Sequence, residues 1–286
     1  MRLATIRTID GTRAVRIEDD GAVETGEAAL VDLLSRPDWR EHAASATGRR
    51  HELAELSYAP LVARPEKIVC VGLNYRNHIL EMGRALPEHP TLFAKFARSL
   101  IGANDDIVLP TVSEAVDWEA ELGVVIGSPV RHATKAQAAE AIAGYTVVND
   151  ISVRDYQNRT LQWLQGKTFE SSTPVGPWLV TSDVASGAPV SHRLTCEVDG
   201  ELEQEADTGD LVFTPAALVS YISSIITLVP GDLVATGTPG GVGHARQPPR
   251  YLSDGAEVIT RIEGIGECRN TCRDEKQLVP TSRSLP

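Results

Sequence analysis

The stretch VDWEAELGVVIG, residues 116–127, constrains the fold more than any other. Its Val, Leu, Ile and Trp read as buried strand, yet Glu119 and Glu121 sit two apart within it. In a strand, residues i and i+2 share a face. Trp118, Ala120 and Leu122 then point one way and both carboxylates point the other. Two like charges held together beside a core raise the free energy unless something compensates them. A divalent cation resolves the conflict. Mg²⁺ takes carboxylate oxygens together with water and substrate, and Mn²⁺ suits the same ligands. A third acid, Asp150, ends the next strand in VVNDISVRDYQ. Taken alone, the glutamate pair also reads as a solvated sheet face, and Asp150 as a cap or turn residue.

The rest of the chain frames that point. Its 286 residues suggest one large domain, or a main domain with a small one attached. With 42% hydrophobic and 23% charged residues, a sizeable core follows. Residues 1–26 alternate polar and apolar and break at Asp10-Gly11 and Asp20-Gly21, which predicts antiparallel hairpins. A helical stretch is expected over EAALVDLLSRPDWREHAA, residues 27–44. The connector YAPLVARPEK, 58–67, puts a boundary near residue 64, dividing a small N-terminal α/β domain (1–64) from a main domain (65–286). The main domain opens on a strand, KIVCVGLNY (67–75). Thr134 as N-cap, Gln137 as its capping-box partner and Gly144 as stop frame a helix, and the strand YTVVND (145–150) follows. Thr214 and Pro215 start a second helix over 214–226. PGDLVATGTPGGVG (230–243) reads as turn, strand and glycine loop, and AEVITRIEGIGECRN (256–270) as further strands. Strands outnumber helices without regular alternation, so the fold class is α+β and strand-rich rather than doubly wound.

The formal charge of −12 argues against nucleic acid or an anionic membrane surface as a partner. It leaves room for a small anionic substrate gripped by a few local Arg and Lys. No apolar run reaches the roughly 18 residues of a membrane span, and MRLATIRTIDG lacks the apolar region of a signal peptide. Cys70, Cys196, Cys268 and Cys272 form no C-x-x-C pair and read as free thiols in a reducing cytoplasm. The glycines of TGTPGGVG lack the Gly-Lys-Ser/Thr ending of a phosphate loop. Neither a nucleotide nor an organic cofactor is expected.

Five segments, VGLNYRNHILEMG, DWEAELGVVIG, GYTVVNDISVRDYQ, GKTFESSTPVGPW and GDLVATGTPGGVG, together resemble the fumarylacetoacetate hydrolase family. The resemblance spans residues 66–273 and implies a mixed β-roll or β-sandwich catalytic domain, usually working as a homodimer. It implies one Mg²⁺ or Mn²⁺ on Glu119, Glu121 and Asp150. Arg154 and Gln157 match positions that hold substrate and water, and an Arg fork suits a carboxylate. Arg154 alone also suits a salt bridge to Asp155 or a nearby acid. Lys167 matches an active-site lysine that steadies negative charge or moves a proton; without the resemblance it reads as a surface residue. Thr238 matches a substrate-contacting threonine. His78 and Glu81, three apart on one helical face, match a base and its orienting carboxylate on a mobile lid. Lys95 is kept from a Phe-x-Lys-Pro pattern and is taken as substrate-binding. Phe96 replaces the usual Pro or small residue and implies an altered pocket wall.

The chemistry implied is metal-dependent hydrolysis of a C–C bond in a small β-dicarbonyl acid such as an acylpyruvate. The substrate's 2-oxo and carboxylate oxygens would chelate the ion, His78 would activate water, and the leaving enolate would be stabilised by the metal. The same electron sink supports decarboxylation of an oxaloacetate-type acid, or isomerisation of a 2-hydroxyhepta-2,4-diene-1,7-dioate-type acid. The motifs are shared by all three, and the intact His78/Glu81 pair puts hydrolysis first. A non-catalytic metal-binding protein is a remote rival, because no ligand or base is missing.

Overall fold

The structure is a computed structural model that describes residues 1–182 and 191–278. Among the described residues, twelve strands join in one mixed sheet. Its path runs Arg50–His51, Gly21–Glu24, Gly11–Glu18, Arg2–Thr8, Thr173–Thr181, Ile142–Asn149, Ala120–Ile126, Leu233–Ala235, Ile68–Gly72 and Thr91–Lys95. A second, five-stranded sheet orders Glu201–Asp207, Arg193–Val198, Glu257–Ile262, Gly266–Asp274 and Ile107–Leu109. The fold is α+β and strand-rich.

Ala120–Ile126 is bonded on both edges, antiparallel to Ile142–Asn149 and to Leu233–Ala235, and all of it is buried. Ala120 and Leu122 pack with Trp118 against Leu194, Cys196, Val258 and Ile262 of the second sheet. Further along that face, Val124 and Ile126 meet Ala138, Leu218 and Ile222 of the helices Lys135–Ala141 and Pro215–Ile225. The opposite face carries Glu121 and then Val125, which packs with Leu30, Leu33 and Leu61. Each such buried Leu or Ile is worth roughly 1.5–3 kcal/mol. A one-residue slip would put Glu121 where Leu122 meets the second sheet, so the register is held by the apolar residues on both faces.

The two Asp-Gly hairpins form, pairing Thr8 with Gly11 and Glu18 with Gly21. The N-terminal strands continue the main sheet, Arg2 pairing with Val180 and Leu3 with Leu179. The helical stretch expected over 27–44 is two helices, Leu30–Leu34 and Trp39–Ser45. Pro37 between them lacks an N–H and disfavours helical backbone before it. Thr134 and Gln137 make the capping box, but Gly144 is not the helix stop. The helix ends at Ala141 and Gly144 lies inside the next strand, where a Cβ would collide with the Val180 carbonyl oxygen. That glycine marks a close approach of two backbones. The DWEAELGVVIG segment is also interrupted. Val116–Asp117 pairs with Ser152–Val153, and Trp118 and Glu119 lie between the two strand pieces. No described helix is long and apolar enough to cross a membrane.

Two one-turn helices follow, Arg154–Gln157 and Leu164–Lys167. They meet at Gly166, where a Cβ would collide with the Gln157 backbone nitrogen. That contact seats Lys167 beside the Arg154 helix. Gly166→Ala is therefore expected to destabilise the protein by about 1–3 kcal/mol. The effect should appear as a lower urea midpoint at unchanged slope. A wild-type midpoint would contradict the close packing.

Candidate active site

Asp150 follows the Ile142–Asn149 strand. Its N–H donates to the Glu119 carbonyl at 2.8 Å, and Asn149 Oδ1 accepts from the Glu119 N–H at 2.8 Å. This double tie holds the irregular Trp118–Glu119 step against the neighbouring strand. Carboxylate oxygens of Glu119, Glu121 and Asp150 lie within 4.8 Å of one another, and all three residues are buried.

Three buried cations surround them. Lys167 Nζ donates to Glu119 Oε2 at 2.6 Å and to Asp150 Oδ2 at 2.8 Å, and lies 5.0 Å from the centre of the Phe93 ring. It is 1% exposed, so its reading as a surface residue does not hold. Lys95 Nζ donates to Asp150 Oδ1 at 2.6 Å and to the Ile151 carbonyl at 3.0 Å. Arg154 forms the expected salt bridge to nearby acids, Asp117 and Glu119, rather than to Asp155. Its Nε donates to Asp117 Oδ2 at 2.7 Å, and its Nη1 lies 2.6 Å from Glu119 Oε1 and donates to Gln157 Oε1 at 2.8 Å. Arg154 Nη2 is buried and has no partner among the described residues.

The electrostatics follow from burial and these pairs. Burial would raise the Asp150 pKa, but Lys167 and Lys95 outweigh it and hold the group below its ordinary value. Burial would lower Lys167, but Asp150 and Glu119 outweigh it and keep it a cation. Glu121 differs. Burial, then Asp150 and Glu119, push its pKa well above the usual carboxylate value, against Lys167 and the Gly237 N–H. That N–H donates to Glu121 Oε2 at 2.8 Å, and among the described residues no Lys, Arg or His forms an ion pair with Glu121. Counting Asp117, four buried acids face three buried cations. The oxygen-only donor set and the unpaired Glu121 fit a divalent ion. With a dication the cluster turns net positive, which suits an anionic substrate.

His78 and Glu81 share the helix Arg76–Glu81. Its start is fastened by Asn74, whose Nδ2 donates to the Thr236 and Phe213 carbonyls at 2.8 and 3.1 Å. The expected hydrogen bond between Glu81 and the imidazole is not among the described contacts. Both side chains instead face Gly240. A Cβ there would lie 3.0 Å from His78 Nδ1 and 3.8 Å from Glu81 Oε2. Burial lowers the His78 pKa, with Glu81 and Glu119 opposing. Thr238 Oγ1 donates to the Ala120 carbonyl at 3.0 Å and accepts from Gln204 Nε2 at 2.9 Å. Phe96 is 59% exposed, so any wall it forms is open to solvent.

Two residues escaped the sequence reading. Asp117 continues the spacing of Glu119 and Glu121, two residues earlier, and that period was the available signal. Gln204 accepts from the Ala120 N–H at 2.9 Å and holds Thr238 and the Pro239 carbonyl. It lies far away in sequence, on the second sheet, and carries no local signal.

Residues 67–273 match the family described as fumarylacetoacetate (FAA) hydrolase C-terminal. The chain belongs to this family of enzymes. A Rattus norvegicus relative, mitochondrial oxaloacetate tautomerase Fahd2a, is 42% identical over 253 residues, covering 85% of this chain and 80% of the relative. The solved 5-carboxymethyl-2-hydroxymuconate delta-isomerase of Mycobacterium smegmatis is 35% identical, with a TM-score of 0.80 over 96% of this chain and 99% of that one. The fumarylacetoacetate hydrolase of Exiguobacterium antarcticum is 29% identical, with a TM-score of 0.85 over 96% and 100%.

Glu121 supplies a test of the metal reading. Because its folded-state pKa is raised, ionising it opposes folding. The burden is absent below the ordinary Glu pKa of about 4.3 and grows as pH rises past it. Glu121→Gln removes it. In chelator-treated protein the variant should melt higher than wild type at pH 7, by about 2–4 °C per kcal/mol relieved. The gap should close towards pH 4. Excess Mn²⁺ should reverse the order, because only the wild type keeps all three ligands. A variant that melts lower than wild type without metal would contradict the charge analysis.

Proposed function

We propose that this protein catalyses divalent-metal-dependent proton transfer on a small 2-oxo dicarboxylic acid, with keto–enol tautomerisation of an oxaloacetate-type substrate as the first reading. The observation that carries the substrate class is Arg154 Nη2, a buried donor without a partner among the described residues, on the same guanidinium that grips Glu119. A substrate carboxylate accepted there brings its adjacent 2-oxo group to the acidic cluster. The tautomerase named among the relatives supports this reading, as does the isomerase among the solved structures.

Mg²⁺ or Mn²⁺ held by Glu119, Glu121 and Asp150 would draw electron density from the 2-oxo oxygen and favour the enolate. The chain's own residues do the rest. Arg154 binds and orients the carboxylate, with Gln157 bracing its Nη1. Lys167 stays protonated on Glu119 and Asp150 and adds positive charge where the enolate forms. With both lysines engaged by acids, His78 is the available base. Its lowered pKa keeps it neutral near pH 7, so it can take the proton from carbon 3. Water need not attack for this outcome.

Hydrolytic C–C cleavage is the second reading. It is favoured by one observation, that the His78 and Glu81 side chains both face Gly240. Proton NMR separates the two. With Mg²⁺ or Mn²⁺ the protein should speed keto–enol exchange of oxaloacetate, leave an acylpyruvate uncleaved, and lose activity to chelator. His78→Ala should lower the exchange rate by roughly 10²–10⁴-fold while binding metal normally. Rapid acylpyruvate cleavage without accelerated oxaloacetate exchange would overturn the tautomerase reading in favour of hydrolysis.

A further inference from the structure

Asp117 has no part in the reading above, yet it is fully buried and accepts four hydrogen bonds. Oδ1 accepts from the Trp118 N–H at 2.9 Å and the Gly243 N–H at 2.8 Å. Oδ2 accepts from the His244 N–H at 2.9 Å and from Arg154 Nε at 2.7 Å. These partners lie on separate parts of the fold. Arg154 begins a one-turn helix, while Gly243 and His244 close the glycine-rich loop that starts at Gly237.

The geometry of a guanidinium makes the Nε bond decisive. Its five N–H groups lie in one plane. Glu119 and Gln157 both act on Nη1 and so fix only one corner of that plane. Asp117 on Nε fixes its rotation about that corner, and with it the place of the unpartnered Nη2. The loop is tied in the same way. Gly237 is bonded to Glu121 at one end, and Gly243 and His244 to Asp117 at the other. Between these ties lie Thr238 and Gly240, the latter against His78. One buried carboxylate therefore sets Arg154 and the His78-facing loop relative to each other.

We propose that Asp117 is a positioning residue for substrate recognition, holding Arg154 so that Nη2 is left to a 2-oxo acid's carboxylate and registering the 237–244 loop to that carboxylate. The inference rests on the reading of Arg154 as the carboxylate grip, and not on which reaction follows. A purely structural Asp117 would alter stability without altering discrimination between a carboxylate and its neutral analogue.

The test is calorimetric binding of pyruvate and of pyruvamide, its uncharged amide, to Mg²⁺-loaded protein. Wild type should prefer pyruvate. Asp117→Asn keeps the shape but turns an NH₂ towards donors. It should weaken pyruvate binding by about 10–100-fold, the range for a charge-assisted hydrogen bond. Pyruvamide affinity should be unchanged, both ligands being measured at Mg²⁺ concentrations that saturate wild type and variant alike. Equal weakening of both ligands, or of neither, would overturn the proposal. No preference for pyruvate in wild type would overturn it as well, by removing Arg154's role. Failure of oxaloacetate turnover would bear on the reaction alone and leave this binding test intact. If Asp117→Asn does not fold, ¹⁵N NMR of wild-type Arg154 decides. A protected Nε–H together with Nη2 resonances that shift on adding pyruvate but not pyruvamide supports the proposal, and a freely exchanging Nε–H or equal shifts with both ligands overturn it.

Discussion

The structure turns on a balance of buried charge. Four acids and three cations share one buried region beside the strand Ala120–Ile126. Removing one member of a buried ion pair typically costs about 3–5 kcal/mol, so the network holds its parts to one arrangement. Asp150 and Glu119 draw in Lys95, Lys167 and Arg154 from three different segments. Among the described residues Glu121 accepts from one backbone donor, the Gly237 N–H. The excess of one carboxylate suits the cluster to a cation, and with a dication added it would suit an anion. An acidic protein of net charge −12 can thus hold a local positive site.

The frame serves that balance. Apolar packing on both faces of the central strand fixes which side chains turn towards the cluster. The interruption at Trp118–Glu119 separates two jobs in five residues. Asp117 belongs to the small Val116–Asp117 ladder and reaches Arg154 and the glycine loop. Glu119 and Glu121 reach the acidic cluster they form with Asp150. An unbroken strand would have put all three acids on one face, with the repulsion that implies.

Much of this was legible in the sequence, and its limits have physical causes. The acidic triad is legible through the family resemblance: the period of two puts Glu119 and Glu121 on one side but by itself also suits a solvated sheet face, and Asp150 alone suits a cap or turn. The Asp-Gly hairpins and the Thr134–Gln137 cap could be read because each depends on neighbours in sequence. Gly144 misleads because a glycine ending a helix and one allowing close approach of two strands look alike until the neighbour is known. The burial of Lys167 and the partners of Arg154 depend on contacts 17 to 48 residues away. Gln204 reaches Ala120 across 84 residues. No local pattern reports such distances.

The central claim is that the buried acids form one cation site. Crystals grown with Mn²⁺ and measured at its absorption edge test this directly. The account predicts a single anomalous peak bonded at about 2.1 Å to oxygens of Glu119, Glu121 and Asp150, with Lys95 and Lys167 still on Asp150. An ordered Mn²⁺ bound elsewhere, or no peak here at saturating Mn²⁺, would contradict it.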